Sequence, residues 1–260
     1  MSKFKIAVNG VNKEFANRQG QMQLVLDTIN LKVKEGEFVS LLGPSGCGKS
    51  TLLSLISGFT GPTAGEIFID DQKVEQPNSK HVTLFQEYGL FPWRSVLGNV
   101  EFGLESSDIP KHQRREVALK FIEMVGLIEF VNKHPQELSG GMKQRVALAR
   151  ALAVNPDIIF MDEPFGALDA LTRYNMQEEL VRIWRETSKT ILFVTHDIDE
   201  AVYLSDRVVI MTPYPGRIKS VIEVPLPRLR DRTNYDFARI RNAIFEEFSL
   251  KPVLQEDFAI

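Results

Sequence analysis

The chain has 260 residues, 43% of them hydrophobic, which suffices for one large or two small packed domains. Its net charge of −3 supplies no basic field for gripping nucleic acid, so nucleic-acid partners are not expected. One cysteine cannot form an internal disulfide, and neither a signal-peptide-like start nor a membrane-length run of roughly 18 uncharged apolar residues is present; a cytosolic chain is expected, with any membrane role exercised through a partner.

In chain order, Lys3 to Val8, Ile29 to Val33 and Glu66 to Asp70 alternate or form short apolar runs ahead of turns, and they predict an antiparallel sheet. Phe38 to Leu42 predicts an apolar strand, followed by a helix over Thr51 to Ile56 with Gly58 as its cap. Val82 to Phe85 is a further strand ending at Gln86. From about 90 to 155 the apolar spacing becomes helical, with Val117, Phe121 and Met124 on one face, and predicts a helical insertion. Strand texture resumes at Ile158, at Thr190 to Thr195 and at Arg207 to Met211, with a helix from about Leu168 to Thr187 in between. Beyond Pro227, the spacing of Phe237, Ile240, Ile244, Phe245 and Phe248 predicts an amphipathic helix. Apolar strands alternating with helices imply an α/β fold whose mostly parallel sheet is covered on both faces, with ligand loops at the strands' carboxyl ends.

The chemistry-bearing residues fall at such ends. Gly43-Pro44-Ser45-Gly46-Cys47-Gly48-Lys49-Ser50 fits the pattern G-x-x-x-x-G-K-[ST] between a strand and a helix; its backbone N–H groups can wrap phosphates, with Lys49 on the β/γ oxygens and Ser50 on magnesium. Asp162 closes an apolar strand, either as a magnesium-holding acid or as a helix cap. Glu163 follows, placed to take a proton from water as a general base. His196 ends another strand, where it can hydrogen-bond a γ-phosphate or the attacking water, and Asp197 with Glu200 reads as a capping box. The Gln86 amide can reach magnesium and water, or be an ordinary strand-end glutamine. Ser139-Gly140-Gly141 opens a helix with bare N–H groups, an anion site that would meet the nucleotide of a neighbouring copy. Cys47, beside Lys49 and a helix start, is expected to have a lowered thiol pKa, unless it merely fills a small-residue position.

With Leu138 to Arg145 added, the chain resembles, over essentially its whole length, the ATP-binding subunit of an ABC transporter. The resemblance implies a P-loop NTPase with a RecA-like core, an antiparallel β subdomain and a helical subdomain. It divides a single ABC ATPase domain into a nucleotide-binding core over 1–88 and 156–225, a helical subdomain over 89–155 and a helical tail over 226–260. By the same resemblance Gly43 to Thr51 is the Walker A segment, Gln86 the Q-loop, Leu138 to Gln144 the signature, and Asp162 with Glu163 the Walker B acid and base. Ala167-Leu-Asp169 corresponds to the D-loop and His196 to the switch histidine. Phe15 matches the aromatic that stacks on adenine, though an aromatic there can equally be core.

The implied cofactors are ATP and Mg2+. The implied partners are a second ATPase subunit in a head-to-tail homodimer, transmembrane permease subunits and, indirectly, an extracytoplasmic solute-binding protein; the chain would then sit on the cytoplasmic face of the plasma or inner membrane. Gln86 to Arg94, Asn99 to Gly103 and Pro213 to Ile218 resemble the nitrate, sulfonate and taurine importer branch, with Phe91, Pro92 and Trp93 either lining the groove for the permease or serving as core. An exporter subunit, or a soluble ABC ATPase acting on nucleic acid or the ribosome, remains open on the ATP-site residues alone. A coiled-coil insertion and a second cassette, which such soluble relatives carry, are missing from this sequence.

Overall fold

The computed structural model describes residues 4–17, 19–85, 88–105, 109–166 and 168–248; Gln86, Ala167 and the tail beyond 248 lie outside the described residues. The strands are β1 (Phe4–Ala16), β2 (Met22–Lys34), β3 (Phe38–Leu42), β4 (Ala64–Ile69), β5 (Gln72–Lys73), β6 (His81–Leu84), β7 (Ile158–Asp162), β8 (Thr190–Thr195), β9 (Arg207–Thr212) and β10 (Arg217–Glu223). The α-helices are α1 (Lys49–Ile56), α2 (Val96–Gly103), α3 (Lys111–Met124), α4 (Gly140–Ala153), α5 (Ala170–Thr187), α6 (Ile198–Leu204) and α7 (Tyr235–Phe248).

Two sheets result. One is antiparallel in the order β2-β1-β4-β5; the other runs β10-β9-β3-β8-β7-β6, parallel from β9 through β6 with β10 antiparallel at its edge. Successive side chains of a strand point to opposite faces, and this alternation sorts the larger sheet's residues between two cores. Val39, Leu41, Ile158, Phe160, Leu192 and Val194 face α1 and the antiparallel sheet. Phe38, Leu42, Ile159, Met161, Ile191 and Phe193 face the helices on the other side. Because both faces are covered, β3 and β8 are apolar on both faces, Ser40 and the terminal threonines of β8 aside, which is how they are legible in the sequence.

Helix α1 ends in a Schellman arrangement: Gly58 is left-handed at φ 82°, its N–H donates to Leu55, and the Phe59 N–H reaches back to Ser54. The helix starts at Lys49, two residues before the predicted start, and Ser57 is its cap with Gly58 one position beyond. The antiparallel strands are longer than the alternation indicates, because β-bulges between Val8 and Val11 and around Lys13 break the period of β1. Strand β10 was not predicted; Pro213, Pro215 and Gly216 read as loop and mask the alternation of Ile218, Ser220 and Ile222 behind them.

Helix α7 buries Phe237, Ile240 and Ile244 and half-buries Phe248, as its spacing predicts, but Phe245, one residue past Ile244, is turned to the exposed side. The segment leading to it is pinned by arginines. Arg230 is buried and donates to the carbonyls of Val202, Tyr203 and Ser205 at the end of α6 and to those of Val224 and Leu226. Arg228 lies 4.9 Å over the Trp184 ring and donates to Leu204 O.

Candidate functional site

The parallel register brings three loops together. Leu42 pairs with Thr195 and Asp162 with Val194, so Gly43, Glu163 and His196 all leave the sheet at one carboxyl edge. The loop after β3 has Gly46 at φ 80° and Gly48 at φ 94°, conformations that L side chains rarely adopt. A Cβ on Gly43 would lie 2.7 Å from Cys47 Sγ and 2.9 Å from Met211 O, so the loop closes on itself only because this position is glycine. Pro44, Ser45, Gly46 and Ser50 are exposed, and Thr51 is half-buried in the first turn of α1. Lys49 is buried, and its ammonium donates to Gly43 O at 2.8 Å and Pro44 O at 3.0 Å. Neutral carbonyls orient that charge without cancelling it, which suits a group that would meet phosphate.

The turn between β9 and β10 props this loop from the side. A Cβ on Gly216 would stand 2.1 Å from Cys47 O, and one on Gly46 would stand 3.1 Å from the Tyr214 hydroxyl.

Ser50 Oγ donates to Asp162 Oδ1 at 2.9 Å, joining the first turn of α1 to the end of β7. Burial pushes the Asp162 carboxyl above its usual range, the Ser50 hydrogen bond pulls it back, and the Glu163 charge raises it again. Among the described residues no cluster of three or more His, Cys, Asp or Glu is arranged to hold a metal. Two oxygen donors beside a phosphate loop nonetheless fit Mg2+, which keeps waters and takes one or two carboxylates plus substrate phosphates. Gln86, the third predicted metal ligand, lies outside the described residues.

Glu163 has φ 43°, a left-handed conformation that costs roughly 1–3 kcal/mol for a residue with a side chain. Its N–H donates to Val194 O at 3.0 Å, which holds that turn against β8. Its carboxylate Oε2 lies 3.1 Å from His196 Nδ1. A carboxylate can only accept, so Nδ1 is the donor in this contact and the Nε2 edge is turned away from it.

Around His196, Asp197 caps α6 by accepting from the Glu200 N–H at 3.0 Å. The expected capping box is not reciprocal. The Glu200 carboxylate turns inward instead, accepting from Thr195 Oγ1 at 2.7 Å and Gln177 Nε2 at 3.2 Å, because Thr195 and Gln177 are buried and need partners.

Ser139 caps α4, accepting from the Met142 N–H at 3.3 Å. A Cβ on Gly140 would meet the Tyr88 hydroxyl at 3.3 Å, and one on Gly141 would meet Thr172 Cγ2 at 2.5 Å, so the start of α4 packs against the first turn of α5. Its neighbours are thus different from those of the phosphate loop. Asp169 caps α5 through Thr172 N at 3.0 Å, and that backbone hydrogen bond lowers its pKa.

Phe15, at the end of β1, is 43% exposed with Lys13 Nζ 4.8 Å from its ring centre, so it is not core and offers a face to a planar ligand. Trp93 is 72% exposed; its ring lies 5.4 Å from that of Phe91, which stacks edge-on at 4.5 Å against Phe102. These aromatics form a surface cluster rather than core. Asn99, buried within α2, shapes it by accepting from Phe91 N and donating to the Phe91, Arg94 and Ser95 carbonyls.

Cys47 departs from expectation. Its thiol is buried at 1% exposure, and burial raises its pKa more than the Lys49 charge lowers it. The helix start and lysine argue for activation only where the sulfur meets solvent, and here Gly43 folds over it.

Sequence reasoning gave no individual role to Arg173, Tyr214 or Arg150. Arg150 donates to the carbonyls of Tyr88 and Gly89 and so ties α4 to the segment after Gln86. The available signal was a charged residue ending the otherwise apolar run Val146 to Ala149.

Residues 26–166 match the family model described as ABC transporter. An uncharacterized ABC transporter ATP-binding protein of Methanocaldococcus jannaschii is 52% identical over 242 residues, covering 93% of this chain and 90% of that one. The aliphatic sulfonates import ATP-binding protein SsuB of Bacillus cereus is 45% identical over 250 residues, covering 96% and 98%. Among solved structures, the dimeric, ADP- and Pi-bound post-hydrolysis form of the ATP-binding cassette MJ0796 superposes with a TM-score of 0.74 at 34% identity, covering 85% of this chain and 100% of that chain. With the phosphate loop, the two carboxylates after β7 and the histidine after β8 on one sheet edge, the chain belongs to the ABC transporter family, as an ATP-binding cassette that hydrolyses ATP.

Proposed function

We propose that this ATPase powers a membrane importer for a sulfonate or a related small solute, of which nitrate and taurine are the nearest chemical alternatives. The observation that carries the reading is the near full-length similarity to an aliphatic sulfonates import subunit. Trp93 after Gln86 and Phe102 on α2 are exposed around the half-buried Phe91 and offer an apolar surface to a separate permease through which the solute would pass; no helix among the described residues is long and apolar enough to cross a membrane.

In the proposed site the N–H groups of Gly43 to Thr51 cradle the phosphates, Lys49 binds the β/γ oxygens, and Phe15 stacks on adenine. Ser50 and Asp162, with Gln86, would hold Mg2+, which when bound offsets the phosphate charge. Glu163 takes a proton from the attacking water, and His196 keeps that carboxylate aimed while its Nε2 edge faces the γ-phosphate. Ser139 to Gly141 serve a second copy: the helix start of one subunit closes over the nucleotide of the other, with Asp169 at the seam. A contact present only in the closed dimer supplies the differential affinity that a conformational cycle needs. The segment 89–155 moves with the permease, and an extracytoplasmic binding protein delivers the solute.

The test is to isolate tagged Glu163→Gln chain with Mg-ATP from solubilised native membranes and identify what accompanies it. A multi-span permease, with transport assayed against sulfonates, taurine and nitrate, is expected. Recovery only with ribosomes or nucleic acid would overturn the importer reading and leave the ATPase standing.

A further inference from the structure

Beneath the Glu163–His196 pair lies a small cavity of about 30 Å³, lined by Glu163, Gly166, Arg173, Thr195, His196, Asp197 and Glu200. Space of that size accommodates one water. Arg173 belongs to α5, yet it reaches two other segments. Its Nη2 donates to Leu168 O at 3.0 Å, Nη1 lies 3.7 Å from Asp197 Oδ2, and Nε lies 3.7 Å from Glu200 Oε1. The last two separations exceed a hydrogen bond but remain within ion-pair range; Glu200 is buried, whereas Arg173 and Asp197 are partly exposed, so the Glu200 contact is the stronger of the two. Nε is buried and has no hydrogen-bond partner.

Glu200 passes this charge contact on to the histidine turn. It accepts from Thr195 Oγ1, and the same hydroxyl accepts from the Asp197 N–H at 3.0 Å, so the residues on either side of His196 are fixed by one buried carboxylate. Without Arg173 that carboxylate and Asp197 would face each other with their cation removed.

We infer that Arg173, acting through Asp197 and Glu200, is a positioning residue for His196 and fixes the direction from which its ring meets Glu163. The guanidinium fork joins the Leu168–Asp169 segment, the cap of α6 and the buried Glu200 into one unit. A shift of Leu168 is thereby transmitted to the histidine without any direct contact between them. The inference rests on the proposed role of His196.

The test is a double-mutant cycle on the full-length chain, reading single-turnover hydrolysis of radiolabelled ATP for wild type, Arg173→Ala, His196→Ala and the double variant. Arg173→Ala is expected to slow the chemical step by about tenfold while the ATP dissociation constant stays within about twofold, and the double variant is expected to be no slower than His196→Ala alone. Fully multiplicative losses, or an Arg173→Ala rate equal to wild type beside a crippled His196→Ala, would overturn this inference alone. A wild-type rate for His196→Ala would remove the role of His196 and this inference with it. Should Arg173→Ala not fold, Arg173→Lys, which keeps the charge and loses the fork, carries the same cycle with the same expected pattern.

Discussion

Glu163 and His196 face each other across 3.1 Å from the ends of neighbouring parallel strands, with the glutamate held at φ 43°. A strained backbone that aims a carboxylate at an imidazole favours a base over a surface acid. Glu163→Gln keeps the shape and the histidine contact but cannot accept a proton. Steady-state ATPase activity is expected to fall by about 100-fold or more, with ATP affinity changed only a few-fold. Hydrolysis near the wild-type rate would take Glu163 out of the mechanism.

Gly216 lies against the phosphate loop so closely that any side chain displaces it: the Cβ of an alanine would sit 2.1 Å from Cys47 O and 3.0 Å from Leu26 Cδ2. Its own backbone is fixed by the Gly216 N–H to Val25 O at 2.8 Å and by the Asp27 N–H to Gly216 O at 2.9 Å, so the turn cannot retreat cheaply. Gly216→Ala is expected to destabilise the fold by about 1–3 kcal/mol and to weaken nucleotide binding, seen in melting curves and in nucleotide titration. Unchanged ATP affinity would show that the loop tolerates the shift.

Cys47 should resist thiol reagents in the folded chain, the reverse of what its place in the motif suggests. Its sulfur is buried, and the thiolate that reacts is disfavoured by that burial. Labelling with a water-soluble maleimide is expected to be slow in native buffer and rapid in denaturant. Fast native labelling that Mg-ATP blocks would restore the activated-thiol reading.

Arg230 carries the attachment of the tail to α6. Burial, with the Arg228 charge beside it, pulls its guanidinium down to about 9, and the carbonyls of Val202, Tyr203, Ser205, Val224 and Leu226 hold it in place. Arg230→Ala leaves several of those acceptors buried and unmatched. A loss of about 3 kcal/mol in urea denaturation is expected, and Arg230→Lys should recover little of it because one ammonium cannot span the same fork. A loss under about 0.5 kcal/mol would show that water replaces the guanidinium.

Several residues of the proposed site were legible as the ends of strands: the apolar run Phe38 to Leu42 stops at Gly43 and Ile191 to Val194 at Thr195. Local patterns also predicted the caps of α4 and α6 at Ser139 and Asp197, and a helix from about Leu168 that in fact starts at Ala170, capped by Asp169. What stayed hidden depends on three-dimensional closure. Glu200 satisfies the capping-box spacing, yet buried Thr195 and Gln177 compete for its carboxylate and win. Arg173 looks like an ordinary helix-surface arginine, since its charged partners lie at the cap and in the first turn of α6. Cys47 was misread because electrostatics can be guessed from neighbours in sequence, whereas burial cannot.

Glu200 also predicts how stability follows pH. Burial raises its pKa above the ordinary 4.5, with Asp197 adding to the rise; the Thr195 hydroxyl and the Arg173 and His196 charges offset part of it. The fold therefore favours the acid form. As pH climbs past the ordinary value, the unfolded chain loses this proton first, so stability present at low pH is lost until the raised folded value is reached and is level beyond it. In Glu200→Gln the slope from this group disappears. Urea-unfolding free energies measured from about pH 4.5 to about pH 8 should thus fall more steeply for wild type than for the variant, at a limiting slope of about 1.4 kcal/mol per pH step of one between the unfolded and folded values. Parallel curves would mean that Arg173 and the Thr195 hydroxyl compensate the buried carboxylate completely.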